Sequence, residues 1–189
     1  LREITVPNEV LPAVLFDPTV SGVIPEPRPV PSYRFESTIR NRNSDDDLAF
    51  ATVAELGSLL SQGLVTSERL TRLALARLKR LDPQLRAVVT LTEERALEQA
   101  RRADAEMAAG QFRGPLHGIP YGAKDLLAVR GTPTTWGAMP YKDQVIDADA
   151  AVIEKLDAAG AVLVAKLSLG SLAMGDVWYG GTTKSPWNT

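Results

Sequence analysis

From residue 52 onward, apolar side chains recur every three to four positions, the period of a helix with one buried face. Thr52 and Glu55 stand at capping-box spacing, Val53, Leu56, Leu59 and Leu60 share a face, and Gly63 offers a stop, so a first helix is predicted there. A second begins at Thr66 or Ser67, buries Leu70, Leu73, Ala74, Leu78 and Leu81, and has Pro83 beyond its end. A third covers residues 92–109, buries Ala96, Leu97, Ala100, Ala103 and Met107, and stops at Gly110. The apolar runs over residues 87–91 and 116–123 are too short for helices and read as strands. Residues 147–159 return to helical spacing, with Val152, Ile153, Leu156 and Ala159 inward and Gly160 after them. Ala161-Val162-Leu163-Val164-Ala165 follows at once, an apolar run suited to a strand covered on both faces. Helix, glycine and buried strand make half of a βαβ unit. The predicted fold class is therefore α/β, a mixed β-sheet flanked by helices and preceded by a helical region.

Proline sets the first part of the chain apart. Seven of the 13 prolines fall in the first 31 residues, where each fixes φ and removes a backbone donor. Residues 1–47 are accordingly expected to form a Pro-rich extended arm, and residues 48–189 the folded part. The polar run Asn41-Arg42-Asn43-Ser44-Asp45-Asp46-Asp47 reads as an exposed loop; its three Asp lack the following Glu that a calcium loop requires. Eleven of the 14 glycines lie in the last 80 residues, which concentrates tight turns there.

Composition narrows the function classes. Lys+Arg 21 against Asp+Glu 23 leaves a formal charge of -2, with no basic field for a phosphate backbone, so no nucleic-acid partner is expected. The stripe of Arg69, Arg72, Arg77, Lys79 and Arg80 reads as a solvated helix face. With Cys 0 and His 1, the chain offers no disulfide, no thiol nucleophile and no multi-histidine metal site, so neither a metal nor a cofactor is expected. No apolar run reaches the ~18 residues of a spanning helix. A cytoplasmic location is the default; the first residue, Leu1, is also compatible with an exported form or a truncation.

Common catalytic motifs are missing: no G-x-S-x-G elbow, no phosphate-binding loop, no G-x-G-x-x-G after a strand. Asp147 and Asp149 sit where helix capping explains them. Lys124 differs. It closes a predicted strand, and ligands of α/β sheets bind beyond the carboxyl ends of strands. A lysine partly withdrawn from water there loses affinity for its proton and can act as a base. The structural alternative is a snorkelling lysine paired with Asp125.

Gly118-Ile119-Pro120-Tyr121-Gly122-Ala123-Lys124-Asp125 matches, position by position, the G-x-P-x-x-x-K-[DE] segment of the amidase signature family. The resemblance continues through Gly131-Thr132-Pro133-Thr134-Thr135, Asp149-Ala150-Ala151-Val152, Ala173-Met174-Gly175 and Ser185-Pro186-Trp187-Asn188, covering about residues 48–189. It implies amide hydrolysis by a Ser-cisSer-Lys triad without metal, with Lys124 as the lysine. It also implies that Met174 and Gly175 lie near the substrate pocket, and it gives His117 no catalytic part. In the family both triad serines follow the Pro-Trp-Asn block, so Ser168, Ser171 and Ser185 match neither. The expected partners are an amide substrate and the rest of the amidase domain, in the same or a second chain; a homo-oligomer is compatible. Trp178, Tyr179 and Trp187 are candidate pocket walls or simple packing. Two other functions fit the residues: the A-type subunit of an amidotransferase that feeds tRNA-linked amidation, and a non-catalytic interaction module.

Overall fold

The computed structural model describes residues 44–187. Most of the predicted Pro-rich arm lies outside them. Where the polar run predicts a loop, a short helix forms instead: α1, Asp45–Ala49. The Ser44 hydroxyl accepts from the Asp47 amide at 3.1 Å, and three Asp in the first turn complement the helix dipole. Leu48 then buries itself among Leu59, Leu60, Val65, Leu70 and Ile119. The sequence signal for a loop was the lack of apolar periodicity, and one buried leucine is enough for a single turn. Asp45 and Asp46 pair with Arg69 and Arg77.

α2, Val53–Ser61, carries the predicted capping box: Glu55 donates its amide to Thr52 Oγ1 (3.2 Å), and Thr52 N returns a bond to Glu55 Oε2 (2.8 Å). α3 spans Ser67–Leu85 and runs through Pro83 rather than stopping before it. Pro83 falls in the last turn, and Asp82 takes over the exit. Its carbonyl receives the Arg86 amide at 2.7 Å, and its carboxylate receives the amides of Ala87 and Val88. α4, Glu93–Ala108, packs along α3. α5, Ala151–Ala158, starts four residues later than its apolar spacing suggested. Asp149 does not cap it: the carboxylate accepts from the Arg130 amide at 2.9 Å and fixes the preceding loop.

Three strands form a mixed sheet in the order β1 (Val88–Leu91), β3 (Val162–Leu167), β2 (Pro120–Lys124). β1 runs antiparallel and β2 parallel to β3. β2 begins four residues after the start of its apolar run, because residues 114–118 turn: the His117 amide reaches Gly114 O, and Gly118 has φ +77. β3 carries the core. One sheet face packs Val162 and Val164 against Leu75 of α3 and Ala96 and Ala100 of α4, and the other sets Leu163 against Ile153 of α5 and Val129. Each Val, Leu or Ile among them contributes about 1.5–3 kcal/mol by leaving water. A small antiparallel hairpin, β4 (Val177–Trp178) and β5 (Gly181–Thr182), follows. Two-residue strands are too short to show a period in sequence.

Candidate active site

Lys124 is the last residue of β2. The strand reaches it through a tightly determined turn. Ser67 Oγ donates to Gly118 O (2.8 Å), Gly118 N to Gly160 O (2.8 Å), and Val162 N to Ile119 O (2.9 Å). Gly122 then lies so close over Leu167 that a Cβ there would stand 2.7 Å from Leu167 Cδ1. Because β2 and β3 are parallel, Lys124 projects from the carboxyl end of the pair, where α/β sheets place ligands. The side chain is exposed, against the expectation of partial burial, and among the described residues it has no ion-pair or hydrogen-bond partner.

The structural alternative for Lys124 fails, because Asp125 is engaged elsewhere. Asp125 turns inward, 0% exposed, and meets Lys166 of β3, also 0% exposed, at 2.7 Å. Lys166 Nζ also donates to Thr134 Oγ1 (3.0 Å) and Pro133 O (3.2 Å), which uses all three ammonium protons. The other carboxylate oxygen accepts from the Thr135 amide at 3.0 Å and from the Thr135 hydroxyl in a very short bond. Burial pushes the Lys166 ammonium below the usual lysine range, and Asp125 opposes that push. The Thr135 hydroxyl accepts in turn from the Gly137 amide (3.2 Å), and burial pushes the titration of the Tyr179 phenol up. Sequence reading missed Lys166: a lysine ending an apolar strand is the signal, and its counter-charge lies 41 residues away.

Met174 and Gly175 follow a 3-10 turn, Ser171–Ala173, whose Leu172 and Ala173 both take left-handed φ. Met174 is 77% exposed, and Gly175 has φ +66. No contact joins Met174 to Lys124. Both adjoin the same turn, however: Trp136 N donates to Asp125 O (3.2 Å), and Leu172 N to Trp136 O (2.8 Å). Tyr179 N reaches Gly137 O (3.0 Å), so the hairpin joins the group. His117 is fully buried away from it. Its Nδ1 accepts from Arg113 N (3.2 Å), Nε2 lies 3.1 Å from Glu106 Oε2 without hydrogen-bond alignment, and burial lowers its proton affinity. Ser168 bonds Thr183, and Trp187 is 96% exposed. Trp178 is buried edge-on to Tyr179.

The amidase family's sequence profile matches residues 69–189. The chain belongs to the amidase family. The A-type subunit of glutamyl-tRNA(Gln) amidotransferase from Methylococcus capsulatus is 43% identical over 141 residues, which is 73% of this chain and 29% of that protein. Native peptide amidase from Stenotrophomonas maltophilia superposes with a TM-score of 0.70 at 34% identity, covering 74% of this chain and 30% of that one. Fatty acid amide hydrolase, at 22% identity and TM-score 0.71, shares the fold. The chain thus spans about three-tenths of the length of these relatives.

In this chain, an apolar groove of about 390 Å³ runs between α3 and the sheet, lined by Leu56, Leu73, Leu78, Tyr121, Gly122 and Val164 among others. Lys124 is not part of its lining, so the groove and the lysine are separate features. Among the described residues no cluster of His, Asp and Glu is arranged to hold a metal ion, and no helix is long and apolar enough to cross a membrane.

Proposed function

We propose that this chain supplies the lysine base of an amide-hydrolysing site, with Lys124 in that part. The observation that carries the reading is its position: the G-x-P-x-x-x-K-D segment folds as turn, edge strand and strand end, and leaves the Lys124 amine unpaired at the carboxyl end of β2. Residues 48–189 form the N-terminal part of the amidase domain. The two serines of the triad come from residues outside this sequence. As the nucleophilic serine attacks the amide carbon, its proton passes through the bridging serine to the Lys124 amine. Collapse of the tetrahedral adduct breaks the C–N bond and returns that proton to the departing amine, and water then hydrolyses the acyl-serine. Met174 and Gly175, on the loop that shares the Thr134–Gly137 turn with Lys124, border the amide substrate.

Lys124→Ala, made in the polypeptide that contains the whole amidase domain, should lower kcat by about 10²–10⁴-fold, the usual contribution of a positioned base, with the melting temperature unchanged. Full turnover with correct folding would remove Lys124 from the mechanism. The 43% identity to an A-type amidotransferase chain favours a second reading, in which glutamine is the amide and partner proteins receive the ammonia. Glutamine hydrolysis that depends on co-purified partners would support it. Hydrolysis of peptide amides by the protein alone would support the first.

A further inference from the structure

We propose that the buried Lys166–Asp125 pair is a positioning device for Lys124, a proposal that rests on the assignment of Lys124 as the base. It acts in two ways. First, it pins the strand end from which Lys124 projects. Asp125 N donates to Leu167 O at 2.8 Å, its carbonyl accepts from Trp136 N at 3.2 Å, and its carboxylate is held by Lys166 and by the Thr135 amide and hydroxyl. Leu127 N closes the turn onto Lys124 O at 2.9 Å. Every hydrogen-bonding group of Asp125 is therefore fixed, and the Cα before it can move little. Burial alternates through the strand end, with Ala123 inward, Lys124 outward and Asp125 inward, so fixing Asp125 inward holds Lys124 outward.

Second, the pair takes up the carboxylate that is next to Lys124 in the chain. A free Asp125 would be a ready counter-ion for the Lys124 ammonium and would hold its proton on. Lys166 neutralises that charge from the far side, at 0% exposure, where water cannot substitute. The other ionisable groups packed at this turn are few. Tyr179 reaches it from the hairpin through Thr135, and Asp143 and Lys142 act on Tyr179 from the loop beyond. None of them pairs with Lys124 among the described residues.

Removing Lys166 while keeping Asp125 should therefore impair the base itself. In the active polypeptide, Lys166→Met should lower kcat about tenfold or more with KM within about twofold. It should also move the acid limb of the kcat/KM profile up by about one pH unit, because an uncompensated negative charge beside an amine favours its protonated form. The double variant D125N/K166M, neutral on both sides, should bring the limb back to the wild-type position. An acid limb that stays put in Lys166→Met would reduce the pair to ordinary scaffolding and overturn the proposal. If Lys166→Met does not fold, Thr135→Val, which removes the hydroxyl that donates to Asp125 and accepts from the Gly137 amide, should move the limb in the same direction by less, and an unmoved limb there is equally fatal. Failure of the base assignment looks different: Lys124→Ala would then keep its turnover whatever the Lys166 variants do.

Discussion

Lys124 and Lys166 lie on neighbouring parallel strands and end in opposite environments, one amine in water and the other enclosed by three oxygen acceptors. The enclosed pair makes a stability prediction. Breaking a buried ion pair from one side strands a charge and costs about 3–5 kcal/mol, whereas neutralising both partners at similar volume is often close to neutral. Lys166→Met should thus lower the urea midpoint strongly, and D125N/K166M should recover most of the loss; additive losses would mean the two groups are not coupled. Gly122 makes another. An added methyl would stand 2.7 Å from Leu167 Cδ1, so Gly122→Ala should cost about 1–3 kcal/mol as overpacking. Trimming Leu167 to Ala in the same chain should reduce that penalty, which a double-mutant cycle would read. The place of Lys124 at a strand end was legible in sequence because its motif is local, eight consecutive residues that specify turn, strand and strand end. Lys166 was not, since nothing within the run Val162–Leu167 announces a partner in the turn after β2.

At the level of elements, helix ends are set by side chains from elsewhere more often than the local sequence implies. α3 is capped by Thr66, whose hydroxyl accepts from Arg69 N at 3.1 Å. It also has a second one: Asp104 of α4 receives the amides of Ser67 (2.6 Å) and Glu68 (3.0 Å). A carboxylate at a helix N-terminus satisfies orphan donors and complements the dipole. Asp104→Ala should therefore cost about 1–2 kcal/mol in chemical denaturation, and a loss no larger than that of an exposed α4 position would dismiss the cap. The junction of α4 and α5 titrates. His117, sealed under Gly160, binds its proton less readily folded than unfolded because burial disfavours the charged ring. Its contribution is then complete above about pH 6.5 and is lost as pH falls below that, toward the lowered folded value, with a slope of up to about 1.4 kcal/mol per pH unit. Glu106, held below the carboxylate range by the Arg113 guanidinium, adds loss only at lower pH, beneath its unfolded value of 4.5. Denaturation midpoints at pH 8, 6.5 and 5.5 should fall in order for the natural chain, and the step below pH 6.5 should shrink in His117→Leu. The amphipathic helices α2, α3 and α4 were readable from spacing alone. The errors sit at termini: α1, the Pro83 exit and the start of α5 were each decided by a capping or loop contact that periodicity does not encode.

For the whole molecule, the sheet is asymmetric. β3 is hydrogen-bonded on both sides and buried on both faces, while among the described residues β2 pairs only with β3 and leaves Gly122 and Lys124 exposed. The same flank of the sequence leaves Leu172, Met174 and Val177 at 60%, 77% and 60% exposure. A half-paired strand presents alternate amides to water, so its opening costs less than that of a strand locked on both sides. In hydrogen exchange of the 189-residue chain, the amides of Val162–Leu167 should therefore be the most protected of the sheet. The amides of Pro120–Lys124 that do not face β3 should exchange orders of magnitude sooner, together with those around Leu172 and Val177. The α/β class was recoverable from sequence because helix, glycine and apolar strand follow one another locally. That β1 and β2 would flank β3 was not, since β1 pairs with β3 across more than 70 residues of sequence and leaves no trace in spacing. In a polypeptide that carries the rest of the amidase domain, the outward β2 amides should slow to the β3 level if that part adds a strand or cover beside Lys124. That protection would mean the lysine is enclosed before chemistry starts. Unchanged fast exchange would mean that the far edge of β2 stays open, and that Lys124 meets its serines at a wet surface.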